Sequence, residues 1–328
     1  MPAARTLRTI RVSGIRPTVV AQIGAGLLAL VLPLLLQGPY HRHVLVLAGL
    51  FVLMALGFDL VLGYLGELSL GHAAFFGIGA YTTALLTRNF DVPFPVDLLL
   101  ACLVTGTAGV LIGAPSLRLK GPYFAIVTFG FAEIVRLIAL NWTSVTRGPM
   151  GLPDIPHAHL GAFGITSELG YYYVILVLIL VAIVVTRRLV ESTVGHAVLA
   201  IRENEELASA TGIPTFRFKV LVFVIGMIFT GAAGSVYARY VHFVDPTALS
   251  FYYTVTVASM VIVGGQGSIT GTILGAVIFT LLPEYLRVVE SARLVIFGAL
   301  LMAATVFLPG GLRGLLRSTP RRGQRVAA

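Results

Sequence analysis

The chain alternates long apolar runs with short polar breaks. Several runs approach or exceed the ~18–20 residues a helix needs to cross a bilayer. Ten spans are predicted, at about 18–36, 43–62, 68–87, 96–114, 121–140, 169–186, 218–240, 252–264, 269–283 and 293–309. Runs such as 171–185 are apolar without alternating, which is helical and not β-barrel patterning. The spans at 252–264 and 269–283 are short and separated by GGQGS. Eight full spans, with 65–72 and 264–270 as re-entrant pieces, would also leave both ends on one side, and the pattern leaves both versions open. The expected fold is an all-α polytopic membrane protein. Residues 1–312 form a single transmembrane domain, and 1–17 and 313–328 are basic tails.

Composition agrees with the pattern. Of 328 residues, 57% are hydrophobic and only 11% charged, against about 25% charged in soluble domains. The net charge of +9 raises the question of nucleic acid, and its distribution answers it. Arg5, Arg8, Arg11 and Arg16 precede the first run, and Arg313, Arg317, Arg321, Arg322 and Arg325 follow the last. The N-terminal arm, the 118–120 turn, the 187–219 loop and the C-terminal tail hold four, two, five and five of the 23 Lys and Arg residues. All fall on one side, which marks them as cytoplasmic, places both termini there and makes nucleic acid no partner. The run at 18–36 lacks a small-residue cleavage site and is expected as a retained span, not a signal peptide. Cys102 stands alone inside an apolar run, so no disulfide framework exists within the chain.

Two loops are long. Residues 187–219 form the longest polar cytoplasmic segment, and 197–210 predicts one short amphipathic helix stopped by Gly212 and Pro214. Connections between packed helices usually take two to eight residues, so a partner-docking role is expected for this loop. On the other side, 141–168 is rich in Gly and Pro and carries Trp142, placed as an interfacial aromatic.

The chemistry is sparse. A Walker A loop needs Lys directly after Gly, but Lys120 and Lys219, the two lysines, follow Leu119 and Phe218. The pairs His41/His43 and His157/His159 lack a carboxylate cluster, and no HExxH occurs, so no metal site and no catalytic residue is expected. Ionisable residues identified within spans are Asp59, Glu67, Glu133 and Arg136. The last two are i,i+3 on one helix and can satisfy each other, holding the fifth span against a neighbour. That leaves little for an ion relay.

The stretch 63–86, GYLGELSLGHAAFFGIGAYTTALL, is different. Gly63 and Gly66 permit a break between apolar segments, the arrangement that transporters use for substrate sites near the midplane. Glu67 is expected to accept the free N–H groups of the following helix, Ser69 to cap it, and His72 to be a buried hydrogen-bonding group. In the second cluster Gly267, Gly271 and Gly275 recur every four residues, a close-packing stripe, and GGQGS forms another break. The expected pathway residues are Asp59, Glu67, Ser69, His72, Phe75 and Tyr81, with Gly265 and Gln266.

Together, four stretches in order resemble the permease subunits of branched-chain amino-acid ABC importers, in particular the M-type partner of the H/M pair. They are 63–86, RGPMGLPDIP at 147–156, GHAVLAIRENEELASATGIPTFRFKVLVF at 195–223 and VGGQGSITGTILGAVIFTLLPEYLR at 263–287. The resemblance implies the ABC importer permease fold in the bacterial inner membrane. It implies an H-type second permease subunit, two cytoplasmic ATPases that carry ATP and Mg, and a periplasmic or lipid-anchored binding protein. It places a coupling segment within 187–217. Arg202, Glu203, Glu205, Glu206, Ala208 and Gly212 are its expected ATPase-contacting residues, and 206–212 looks like a degenerate E-A-A-x-x-x-G loop with Leu207 in place of the first Ala. The sequence departs from the family at Gly195-His196, where Gly-Arg is usual, at Glu67, where Gln is usual, and at Asp59, where Asn is usual. The two acidic changes are expected to adjust which substrate passes. A urea or short-amide importer permease and an ion-coupled carrier acting alone are the alternatives.

Overall fold

The computed structural model describes residues 17–285 apart from 36–37, 91, 120 and 161–162, together with Gly298 and Gly311. The basic tails beyond Pro17 and Gly311, and the predicted span at 293–309 save Gly298, lie outside the described residues. The order is α1 (Pro17–Leu35), α2 (Pro39–Asp59) running into a π-helical turn (Leu60–Leu65), α3 (His72–Asn89), α4 (Phe94–Ser116), α5 (Pro122–Asn141) and the short α6 (Thr143–Thr146). A two-stranded hairpin follows, β1 (Ala158–Leu160) antiparallel to β2 (Phe163–Ile165). Then come α7 (Glu168–Val190), α8 (Thr193–Glu203), α9 (Glu205–Ala210), α10 (Thr215–Val241), α11 (Phe251–Gly264) and α12 (Ile269–Tyr285). The chain is an all-α polytopic membrane protein.

Among the described residues, five segments are long and apolar enough to cross a membrane: Pro39–Leu65, Phe94–Ser116, Pro122–Asn141, Glu168–Val190 and Thr215–Val241. The helices at the predicted eighth and ninth spans have 14 and 17 residues. At 1.5 Å per residue the first reaches about 21 Å, short of the ~30 Å hydrocarbon core, and the second covers about 26 Å up to Tyr285, the last described residue of that stretch. The core forms around α2 and α10, whose side chains are buried on most sides, while α4, α5 and α7 keep one apolar face outward, with Leu99, Leu111, Ile126 and Val184 exposed.

Glycine sets the central spacing. A Cβ at Gly57 would lie 2.5 Å from the Gly226 carbonyl, and one at Gly226 would lie 2.6 Å from the Gly57 carbonyl. The two backbones therefore touch, as small residues allow in membrane bundles. Gly271 and Gly275 do the same against Gly264 and Met260, so α11 and α12 pack as a tight hairpin. Gly267 does not join that stripe. It sits in the turn at φ +68°, a conformation glycine adopts without strain.

The far end of the bundle is locked by a pair the sequence reading missed. Asp97 of α4 and Arg239 of α10 are fully buried and meet at 2.5 Å. Arg239 also donates to the carbonyls of Val92, Pro156 and His157, which fastens the 141–168 loop onto the helices. Backbone bonds between Leu152 and Val244 close the same seam. His157 there stands edge-on to His242, their ring centres 4.1 Å apart. Partial burial, and then the neighbouring His242, pull the His157 pKa below the usual imidazole value.

Candidate functional site

The break predicted in 63–86 is present, and its surroundings define the site. The π turn ends at Gly66, which takes φ +84°, and residues 66–71 run without helix until His72 opens α3. A π turn leaves its last carbonyls short of partners. Val61 O accepts the N–H groups of Gly66 and Glu67, and the Gly63 carbonyl accepts the Arg202 guanidinium of α8. A side chain at Gly63 has no room, because the Asp59 carboxylate and the Gly267 N–H occupy that space. These two are themselves bonded at 2.8 Å, so buried Asp59 ties α2 to the GGQGS turn.

Glu67 faces the same cluster. Its Oε1 lies 2.9 Å from Lys219 Nζ, which also reaches Glu205 Oε2 at 3.2 Å. Lys219 is 1% exposed, and a buried ammonium is tolerable only when paired. The break, the GGQGS turn, α8, α9 and the start of α10 thus meet in one polar junction. It stands at the end of the Pro39–Leu65 segment, beside the 187–219 loop.

Several expectations change here. Glu67 is held by Lys219, while in the first turn of α3 the Thr254 hydroxyl accepts Ala73 N–H at 2.9 Å, and before the helix the Thr128 hydroxyl accepts Leu70 N–H at 3.0 Å. Ser69 is not the cap: Gly71 holds that position without a side-chain bond, and the buried Ser69 hydroxyl has no partner among the described residues. His72 is fully buried, edge-on against Phe58 and in hydrogen-bonding reach of the Gly57 backbone, as expected of a buried hydrogen-bonding group. Phe75 packs between Phe131 and Phe223 in the core, and Tyr81 is buried in a separate cluster with Ala132 and Leu249. Asp59 and Gly265 are also buried, which leaves Glu67, partly, and Gln266 open to the surface. Glu133 and Arg136 do pair, through two bonds of 2.9 and 2.5 Å, on a face of α5 where both side chains are partly exposed and no helix among the described residues is recorded against them.

The 187–217 segment divides by direction. In place of one helix over 197–210 there are two, because Asn204 is extended and caps α9 through Leu207 N–H at 3.0 Å. Gly212, at φ +86°, ends α9 as expected. Arg202, itself exposed, reaches the Gly63 carbonyl, half-buried Glu205 reaches Lys219 and Ala208 is buried, while Glu203, Glu206 and Leu207 face out, Leu207 at 64% exposure. Lys219, Thr128, Thr254, Asp97 and Arg239 were not singled out from sequence as site residues. Charge inside apolar runs was the available signal for Asp97, Arg239 and Lys219, and nothing local marks the threonines.

The comparisons agree with this architecture. The family model described as branched-chain amino acid transport system / permease component matches residues 41–305. The chain is 35% identical over 293 residues to the high-affinity branched-chain amino acid transport system permease protein LivM of Salmonella typhimurium, covering 82% of this chain and 68% of that protein. To LivM of Escherichia coli K12 it is 33% identical over 291 residues, with the same coverage. To the permease LivH of E. coli K12 it is 25% identical over 295 residues, covering 82% of this chain and 92% of that protein. No solved structure matches.

Proposed function

The chain belongs to the family of branched-chain amino acid transport permease components, and from that premise we propose that it is one membrane half of an ATP-driven importer of branched-chain or related hydrophobic amino acids. In this reading it pairs with an H-type permease in the inner membrane. The permease pair carries two ATPases on its cytoplasmic face, one of them docked on this chain, a binding protein delivers substrate from outside, and both termini are cytoplasmic. ATP and Mg belong to the ATPases. Residues 1–312 act as one permease domain, with 187–217 as the coupling segment inside it.

The observation that carries the reading is the two-sided construction of α8 and α9. Glu203, Glu206 and Leu207 offer an outward surface, while Arg202 and Glu205 hold the break after α2 and the buried Lys219. A push on the outer surface is thereby delivered to the backbone where a transmembrane helix is interrupted. Asp59, Glu67 and Gln266 then act where the coupling segment meets the pathway.

Reconstitution tests this. The permease, its H-type partner and its ATPases in proteoliposomes take up leucine, isoleucine or valine when ATP and binding protein are supplied. Uptake that follows an ion gradient without any ATPase would discard the reading in favour of an independent carrier.

A further inference from the structure

The outward face of α5 carries chemistry that the junction does not use. Glu133 is the twelfth residue of this 20-residue span, close to its middle. Its carboxylate receives two bonds from the Arg136 guanidinium, and the two side chains remain 40% and 32% exposed. Ionised groups at the centre of a span are costly against lipid and as a rule face a bundle interior or a water-filled cavity. One turn before Glu133 on the same face stands Phe129, whose exposed ring meets the exposed Phe251 ring edge-on at 5.1 Å between centres. Between them lies Gly130. A Cβ there would meet nothing within 4 Å, so packing inside this chain does not require glycine at that position. The result is an open shelf with an apolar end and a charged end.

We propose that this shelf is a substrate-contacting site on the transport pathway, taking an α-amino acid with an apolar side chain. The inference rests on the permease reading. Four residues along a helix rise about 6 Å, which is the distance a small aliphatic amino acid spans from its charged groups to its side-chain tip. The substrate carboxylate sits on the Arg136 edge that takes no part in the pair, where a guanidinium gives directed donors. The substrate ammonium sits on Glu133, and the aliphatic group lies over Phe129 and Phe251. The intrahelical pair is neutral overall and already oriented, so the empty site carries no net charge and little needs ordering when the ligand arrives.

The test uses the intact reconstituted transporter. In a Cys102→Ala background, Gly130→Cys introduces a thiol on the shelf. A charged, membrane-impermeant thiol reagent is expected to modify it, and saturating leucine to slow modification at least about fivefold, while a primary amine without a carboxylate does not. A thiol that fails to react, or that reacts at the same rate with and without leucine, overturns the proposal. The exchange Glu133→Arg with Arg136→Glu keeps an ion pair on the helix and reverses its polarity, and leucine uptake is expected to fall at least about tenfold in complexes that still co-purify with their partners. Unchanged uptake overturns the proposal. A wild-type transporter that carries no amino acid overturns the permease reading and this site with it. A wild-type transporter that carries leucine alongside an unreactive thiol overturns this site alone.

Discussion

Lys219 joins Glu67 to Glu205: one buried ammonium lies 2.9 Å from the carboxylate that follows the α2 break and 3.2 Å from the carboxylate that opens α9. The sequence places these three 14 and more residues apart, on the 63–86 stretch, a polar loop and a helix start. In the fold they are a single electrostatic unit, and Arg202 reaching the Gly63 carbonyl runs beside it.

Replacing that ammonium therefore affects both sides of the junction. Lys219→Met keeps the apolar stem and leaves two carboxylates facing each other. Because both still have some access to solvent, the expected loss is about 2–3 kcal/mol, below the ~3–5 kcal/mol of a fully buried broken pair. Glu67→Gln is milder, about 1 kcal/mol, since Lys219 keeps Glu205. Thermal unfolding in detergent measures both. With Glu67 engaged by Lys219, Glu67→Gln is expected to weaken coupling between ATP hydrolysis and uptake while the order of preferred substrates stays the same. A reordered preference in a stable variant would restore Glu67 to substrate selection.

Arg239→Met should be among the most destabilising single changes. It strands the buried Asp97 carboxylate and removes the donor to three carbonyls, at about 3–5 kcal/mol. Asp97→Leu combined with Arg239→Met leaves no buried charge and is expected to recover part of that loss. A double variant no more stable than Arg239→Met would show that the carbonyl contacts, not the ion pair, dominate.

The outward surface of α9 predicts a separable defect. Leu207→Asp changes a side chain that is 64% exposed, so its melting temperature should move little, while Glu206→Lys also gives up an interaction that Glu206 makes within the chain. Co-purification of the ATPase is expected to drop at least about tenfold, or ~1.4 kcal/mol of docking energy. Undiminished co-purification in both variants would move the docking surface elsewhere.

Close backbone contact predicts a contrast between glycines. Gly57→Ala places a methyl group against the Gly226 carbonyl, and overpacking of this kind costs about 1–3 kcal/mol. Gly24→Ala in α1 meets nothing within 4 Å and is expected to be neutral or slightly stabilising, as alanine is the better helix former. Parallel melting curves decide between them.

The His157–His242 contact gives a pH dependence of known sign. A base whose folded pKa is lowered binds fewer protons when folded, so its contribution is complete above its ordinary value of 6.5 and declines as the pH falls through the lowered folded value. Stability of the wild type should therefore fall more steeply below about pH 6.5 than that of His157→Asn. Identical pH profiles would remove this role.

The sequence by itself determined the class of fold, most of the helices and the place of the α2 break. Those follow from local rules: apolar runs long enough for a bilayer, glycines that weaken a helix, and a polar loop too long to be a simple connector. It also gave the Glu133–Arg136 pair, because i,i+3 spacing on one helix is a local relation. Tertiary structure alone decided what the polar groups on different helices touch. Thr128 and Thr254 replaced Ser69 at the start of α3, Lys219 captured Glu67, and Asp97 found Arg239 across 142 residues. The physical reason is the same in each case. A polar group away from water needs a partner, and which partner it finds depends on which helices lie alongside, a relation that no local pattern encodes.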